Sequence, residues 1–341
     1  MLQGDFSLPP HAAGLAGAAA AEPVPDRYGF YTGAPSTPLP DSSAAAGGGG
    51  GKRRHDALRI IRRREKKWLA MFNNWDRVVA KEFPRLRERC RKGIPDSVRA
   101  RAWYYLCGAC FMQRDQPDLY QRCLAKQPNE KVLDEIDKDL SRQFPHHELF
   151  VQDQGHGQQA LRRLLQAYSG CHPEVGYCQA MAPLAGALLL HMPELDAFYT
   201  MVSLFDTYMR DYFRPGLEAV QVDGQILYGL LKRMYPDVYR HLVKYKVEPL
   251  HFMVDWFMCL YVRNLPWPTL LRQRRHLKSF EDTLDCLRNL PASVTEASSL
   301  LPTALLLELS AKDFEQEHTK QLKKFNQRKQ GRHQMQEAAA A

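Results

Sequence analysis

The chain has 341 residues, of which 45% are hydrophobic and 10% aromatic, enough to bury one large core or two ordinary ones. Its most apolar run, residues 180–192, contains a proline and a histidine and is shorter than the roughly 18 residues that a membrane span needs. Eight cysteines are scattered through apolar, helix-like segments, and we expect all of them to be reduced thiols of a cytoplasmic protein.

The net charge of +9 is concentrated in one segment. Residues 52–67 contain nine lysines or arginines against two acids, and the remainder of the chain is close to neutral. This segment is either a solvated helix face or a contact for an anionic membrane surface or an acidic partner. We expect no nucleic-acid partner, because no aromatic residues are interleaved on the charged face and no known nucleic-acid reader motif is present.

The first quarter of the chain divides into two parts. Residues 1–51 are dominated by alanine, glycine, proline and serine, which predicts a disordered arm because little apolar surface is available to offset the ordering entropy. Within this arm, residues 26–30 carry two aromatic side chains that we expect to dock on the folded domain. Residues 52–90 predict a basic amphipathic helix that leads into the domain. Its apolar face is expected to contain Leu58, Ile61, Trp68, Met71, Phe72 and Trp75.

The following region predicts an all-α, multi-helical domain at residues 91–300. A breaker at residues 92–96 precedes a helix from Ser97 to Cys107, which Asp96 can cap. No run of alternating strand residues interrupts the helical periodicity that follows. A C-terminal helix and basic tail are predicted at residues 301–341. The further helices are expected at residues 130–142, 157–169, 177–191, 196–209, 220–234, 248–262 and 303–330.

Two local patterns that suggest a cofactor are incomplete. The glycine run before Lys52 is not a phosphate-binding loop, because Ala46 stands where the first glycine belongs and Arg53 where a serine or threonine would hold magnesium. The pair Cys107 and Cys110 lacks the second pair that a structural zinc site needs. We therefore expect no GTPase activity, no metal site and no cofactor of the chain's own.

Three short motifs occur in the predicted helical domain. They are the segment Arg91 to Trp103, the pattern I-x-x-D-x-x-R at Ile136, Asp139 and Arg142, and the pattern Y-x-Q at Tyr177 and Gln179. In their order and separation they resemble the TBC domain of Rab GTPase-activating proteins. Segments that flank the domain resemble the carabin subgroup of that family. The resemblance runs from about residue 91 to residue 272 and implies a helical fold.

The resemblance also implies an activity. A TBC domain binds a Rab-type small GTPase in its GTP state and supplies an arginine and a glutamine in trans, which here are Arg142 and Gln179. A guanidinium stabilises the charge of the transferring phosphoryl group, and a carboxamide can orient the attacking water. GTP and magnesium would belong to the partner GTPase. The implied setting is vesicle traffic, in the cytoplasm or at the periphery of membranes.

Other motif residues are expected to support these two. Asp139 lies three residues before Arg142 on one helix face and is expected to hold the arginine in place. Ile136 would anchor the helix in the core, and Tyr177 would pack beneath Gln179 or contact the GTPase. Three residues of the opening motif are expected to be structural or to contact the GTPase: Arg99, Arg101 and Trp103.

The sequence departs from the family after Arg272. There the family continues with two apolar helices and a turn, whereas family-like sequence here is clearest again only at residues 287–291. The difference corresponds to an internal deletion of about 30 residues. It predicts exposed apolar faces on the helices at 196–209 and 248–262. An alternative function therefore stays open, a GTPase- or scaffold-binding protein with impaired catalysis.

Overall fold

The computed structural model describes residues 24–26, 28–31, 50–209, 211–214, 216–264 and 311–340. All regular elements in these residues are helical, which confirms the all-α class, and one isolated bridge joins Phe30 to His147. In chain order the α-helices are α1 (Gly50–Phe72), α2 (Trp75–Lys81), α3 (Phe83–Arg91), α4 (Asp96–Leu106), α5 (Ala109–Asp115), α6 (Leu119–Ala125), α7 (Glu130–Leu140), α8 (His156–Cys171), α9 (Met181–Leu189), α10 (Glu194–Tyr208), α11 (Glu218–Met234), α12 (Pro236–Lys244), α13 (Met253–Met258) and α14 (Ala311–Ala340).

The first four helices share a small core of their own. Residues 52–90 are divided into α1, α2 and α3, because a turn at Asn73 and Asn74 and the cap at Glu82 interrupt the helix. Helix α1 is about 35 Å long at 1.5 Å per residue, longer than the helix α4 against which it packs. Consequently Leu58 and Ile61 are exposed, although they belong to the predicted apolar face of this helix. The buried residues are Trp68, Met71, Phe72, Trp75, Val78, Leu86, Val98 and Ala102.

The larger core is built around α8. This helix packs against α6, α7, α9 and α10, and eleven of its sixteen residues are buried. Helix α9 is buried at every position, since its sequence from Met181 to Leu189 contains no charged or strongly polar side chain. A helix that is apolar on all sides needs neighbours on all sides, and α7, α8 and α10 surround it.

Several helix boundaries differ from the predicted ones. Helix α7 ends at Leu140, two residues early, and α9 begins only at Met181, so that Gln179 lies in a turn before the helix. The predicted helix 248–262 is a 3-10 turn followed by the short helix α13. Asp96 does not cap α4, because Pro95 occupies the cap position and Asp96 is the first helical residue.

The cysteines are not all free. Cys123 in α6 and Cys171 at the end of α8 have Cα atoms 5.1 Å apart and form a disulfide, so the prediction of reduced thiols is wrong for this pair. Cys286 lies outside the described residues. The remaining cysteines are free thiols: Cys90, Cys107, Cys110, Cys178 and Cys259.

The C-terminal helices line an apolar pocket that is open on one side. It has a volume of about 280 Å³ and lies between α10, α11 and α13, with Phe314 of α14 also in its lining. Helix α14 packs on α11, where Lys329 forms an ion pair with Glu218 at 2.7 Å. The predicted deletion after Arg272 lies outside the described residues. Among those that are described, no helix combines the length and apolarity that crossing a membrane requires.

Candidate functional site

Helix α7 carries the arginine motif. Its first turn is capped by Asn129, whose side chain accepts a hydrogen bond from the Val132 N–H at 2.9 Å. Ile136 is fully buried in the main core, as expected for the residue that anchors this helix. Arg142 follows the helix end, and its N–H donates to the Asp139 carbonyl at 3.3 Å. The helix therefore delivers Arg142 to a surface turn.

Asp139 connects the two motifs. Its Oδ1 accepts a hydrogen bond from the Arg142 guanidinium, and its Oδ2 accepts one from the Tyr177 hydroxyl at 2.5 Å. The Asp139 side chain is only 5% exposed, whereas that of Arg142 is 50% exposed. Burying a carboxylate without hydrogen-bond partners costs free energy. The two hydrogen bonds therefore stabilise the Asp139 carboxylate and also restrain the side chains of Arg142 and Tyr177. The Arg142 guanidinium is thereby oriented by Asp139, while half of the side chain stays exposed to solvent.

The Tyr177 hydroxyl is suited to this role. Its burial, together with the hydrogen bond to Asp139, raises the pKa of Tyr177 above its ordinary value. The hydroxyl therefore stays protonated and donates to the carboxylate at physiological pH. Because Tyr177 precedes Gln179 by two residues, this hydrogen bond ties the glutamine segment to the arginine helix.

The segment around Gln179 is a turn that precedes a buried helix. Gly176 has φ +64°, a left-handed conformation that favours glycine, and its carbonyl accepts from the Ser169 hydroxyl at 3.2 Å. The Met181 N–H donates to the Cys178 carbonyl at 2.8 Å. Gln179 itself is exposed. Its carboxamide is thus presented at the surface while the next helix is anchored in the core.

Arg99 of the opening motif is a structural residue in the described contacts. It is buried, pairs with Asp96 one turn earlier and donates to the Ile94 carbonyl at 3.2 Å. Burial and the positive charge of Arg99 lower the pKa of His191 to about 4, which keeps that imidazole neutral. Arg99 therefore stabilises the start of α4.

Arg101 and Trp103 also make contacts within the chain. The Arg101 guanidinium lies over the Phe72 ring, 4.9 Å from its centre, and joins α4 to α1. The Trp103 ring packs edge-on against His191, with 4.9 Å between the ring centres. Arg101 is exposed, so its predicted contact with a GTPase stays a prediction alongside its structural contact.

An aromatic contact that the sequence motifs do not indicate lies behind the site. Phe144, two residues after Arg142, has φ +47° and packs near Phe150, with ring centres 5.8 Å apart. A Cβ atom added to Gly186 of α9 would lie 2.7 Å from the Phe144 ring. The arginine turn therefore fits into a notch on the helix that follows Gln179. The available signal was a glycine inside an otherwise bulky apolar helix.

Together these residues place a half-exposed guanidinium and an exposed carboxamide on two segments joined through one buried carboxylate. Hydrogen-bond donors with a positive charge of this kind bind phosphoryl oxygens. The neutral amide can both donate and accept, which suits it to orienting a water molecule. The arrangement fits an anionic group that a partner molecule brings to the surface.

Comparison with known proteins identifies relatives of this chain. The family model described as Rab-GTPase-TBC domain matches residues 96–273. TBC1 domain family member whacked of Drosophila melanogaster is 42% identical over 326 residues, covering 87% of this chain and 86% of the fly protein. Mouse carabin is 44% identical over 213 residues, which cover 62% of this chain and 48% of carabin. This chain therefore aligns with about half the length of carabin.

The fold is also similar to a solved structure. The crystal structure of the Chlamydomonas flagellar RabGAP TBC domain matches with a TM-score of 0.52 and 21% sequence identity. The match covers 86% of this chain and 93% of the algal domain. At this identity the likeness concerns the fold alone.

Proposed function

We propose that this chain, which belongs to the Rab-GTPase-TBC domain family, accelerates GTP hydrolysis on a Rab-type small GTPase by lending it Arg142 and Gln179. The partner would be bound in its GTP state and would bring both the nucleotide and the magnesium ion. The chain would act in the cytoplasm on membrane traffic.

One observation carries the proposal. Asp139 is almost fully buried and accepts hydrogen bonds from both Arg142 and Tyr177, which belong to the two motifs. An arginine that is already oriented loses less conformational entropy when it meets a phosphoryl group. The same contact fixes the position of the segment that carries Gln179. Preorganisation of this kind is what stabilisation of a charged transition state requires.

The chemistry assigns a separate task to each side chain. In the transition state of phosphoryl transfer, negative charge is spread over the phosphoryl oxygens, and the Arg142 guanidinium would donate hydrogen bonds to them. The Gln179 carbonyl oxygen would accept a hydrogen bond from the attacking water, and its NH₂ would donate to a phosphoryl oxygen. Neither residue forms a covalent bond in this mechanism.

The test is a hydrolysis assay on a panel of Rab GTPases loaded with GTP. We expect Arg142→Ala to reduce the stimulated rate by about 10³-fold or more, because an arginine supplied in trans is worth that much. Gln179→Ala should reduce it as well. Arg240→Ala is a matched control, since Arg240 on helix α12 also pairs with an aspartate three residues earlier.

Retention of the full stimulated rate by Arg142→Ala would sink the proposal. The alternative function would be supported if the wild-type chain binds a Rab in the GTP state without accelerating hydrolysis. In that case neither Arg142→Ala nor Gln179→Ala should change the binding affinity. That alternative is a GTPase- or scaffold-binding protein without catalysis. Binding is measured separately by titrating the chain into Rab loaded with a non-hydrolysable GTP analogue.

We also propose that the basic segment, residues 52–67, contacts an anionic membrane surface. Leu58, Ile60 and Ile61 are exposed on α1 among its arginines and lysines, a combination typical of helices that lie at a lipid interface. Sedimentation with vesicles tests this. Binding to vesicles containing phosphatidylserine should be lost when Arg62, Arg63 and Arg64 are replaced by glutamate. Equal binding to neutral vesicles would contradict it.

A further inference from the structure

The N-terminal arm contains a short turn of its own, formed by residues 26 and 28–31, which we call the clasp. Asp26 organises it: its Oδ1 accepts from the N–H groups of Tyr28 at 2.8 Å and Phe30 at 3.0 Å. The Asp26 N–H donates to the Phe30 carbonyl at 2.8 Å, and the Gly29 N–H donates to the Asp26 carbonyl at 2.9 Å. These bonds close the segment into a defined shape.

The clasp is bonded to the turn that follows Arg142. The Tyr31 N–H donates to the His146 carbonyl at 2.7 Å, and the Glu148 N–H donates to the Gly29 carbonyl at 2.8 Å. This pairs the backbone of the arm with that of the domain, as an added strand pairs with an edge strand.

His147 adds a side-chain bond to the clasp. Its Nδ1 accepts a hydrogen bond from the Leu149 N–H at 3.0 Å, so the other nitrogen, Nε2, carries the proton and donates to the Tyr28 carbonyl at 2.8 Å. Burial lowers the pKa of His147 below its ordinary value, which favours this neutral form. The imidazole is thus buried between the clasp and the domain.

Aromatic packing extends the contact towards Arg142. The Phe30 ring lies edge-on to the His147 ring at 4.8 Å and 6.3 Å from the Phe144 ring, measured between ring centres. Phe144 in turn fills the notch at Gly186 of α9. A continuous set of contacts therefore leads from the arm through Phe144 to both segments of the site.

Gly29 lies close against the domain. It is buried, has φ +88°, and a Cβ atom added there would lie 2.5 Å from the His147 Nε2. Any other residue would meet His147 and would also strain the backbone. The close fit indicates a specific docking site for this segment.

We propose that the clasp is a positioning segment for Arg142, which holds residues 143–148 in the conformation that presents the guanidinium. Its consequence for catalysis rests on the proposed function, whereas its effect on the arginine turn does not. Residues 143–148 contain no regular helix and include the left-handed Phe144, so they depend on contacts from outside for their order.

The test compares Gly29→Ala with Gly93→Ala in the full chain. Gly93 has φ +85° but open space around it, so its substitution reproduces the backbone strain without the steric conflict. We expect Gly29→Ala to accelerate amide hydrogen exchange at Glu148 and at Arg142 by about ten-fold, the effect of losing one net hydrogen bond. Phe30→Ala, which removes a ring and adds no bulk, should act in the same direction.

The catalytic consequence is measured on the same variants. Gly29→Ala should lower kcat for stimulated GTP hydrolysis and leave KM for the Rab nearly unchanged, since a misplaced arginine affects the transition state more than binding. Unchanged exchange at Arg142 would overturn the proposal, and so would faster exchange with an unaltered kcat. If the wild-type chain is inactive on every Rab, the proposed function is refuted. The hydrogen-exchange rate at Arg142 would then still test whether the clasp orders the arginine turn.

Discussion

The helices that carry the site, α7 to α9, are packed differently from the C-terminal group α10, α11, α13 and α14. Helix α9 is buried at every position, and Ile136 of α7 is fully buried. The C-terminal group instead lines a half-open apolar pocket of about 280 Å³, and Tyr208 in its lining is 63% exposed. The residues that we assign to the chemistry, Arg142 and Gln179, lie in turns that flank these closely packed helices. The lining of this pocket includes residues of α10 and α13.

Both groups contain a partly buried tyrosine that donates to a carboxylate. Tyr177 donates to Asp139 in the site, and Tyr212 donates to Asp223 in the pocket lining. Only the first carboxylate also accepts from an arginine in the described contacts. The contact between Tyr212 and Asp223 therefore supports structure alone. In our proposal, the similar contact between Tyr177 and Asp139 also positions the reacting side chain of Arg142.

The largest difference should appear in stability. Ile136→Ala is expected to lower the free energy of unfolding by about 2–5 kcal/mol, because it leaves a cavity in a tightly packed region. Leu230→Ala, at a half-buried position in the pocket lining, should cost about 2 kcal/mol or less, since fewer contacts are lost. Urea unfolding followed by circular dichroism measures both. Equal losses would show that the two groups are packed alike.

A smaller effect should separate the two tyrosines. Tyr177→Phe and Tyr212→Phe each remove one hydroxyl from a carboxylate, and each should cost about 1.5–3 kcal/mol of stability. Only Tyr177→Phe is expected to lower stimulated GTP hydrolysis, by about ten-fold, because it releases Asp139 and with it the arginine. Both are measured by urea unfolding and by the Rab assay. A similar loss of stimulated hydrolysis in Tyr212→Phe would show that the effect of Tyr177→Phe is not specific to the candidate site.

The all-α fold was predictable because apolar periodicity survives in a single sequence. Ile136 and the face from Trp68 to Trp75 follow that periodicity, and the structure buries them. Leu58 and Ile61 follow it too but are exposed, because periodicity does not reveal where the neighbouring helix ends. The boundaries at Leu140 and Met181 depend on turns and on tertiary contacts, which local propensity does not contain.

One contact of the candidate site, that between Asp139 and Arg142, was predictable from the sequence, and its other connections were not. The three-residue spacing of Asp139 and Arg142 indicated their contact, since such residues share a helix face. The bond from Tyr177 to Asp139 and the fit of Phe144 at Gly186 join residues about 40 positions apart, and no local pattern encodes them. The pairing of Cys123 with Cys171 was missed for the same reason.

The shared carboxylate of Asp139 has an energetic consequence. Two donors that depend on one anion do not contribute independently: removing either one weakens the restraint on the other. The free energies assigned to the arginine and to the tyrosine that orients the glutamine segment would therefore overlap. Under this scheme the two motifs form one thermodynamic unit. Removing the donor in one motif would also weaken the positioning of the side chain in the other.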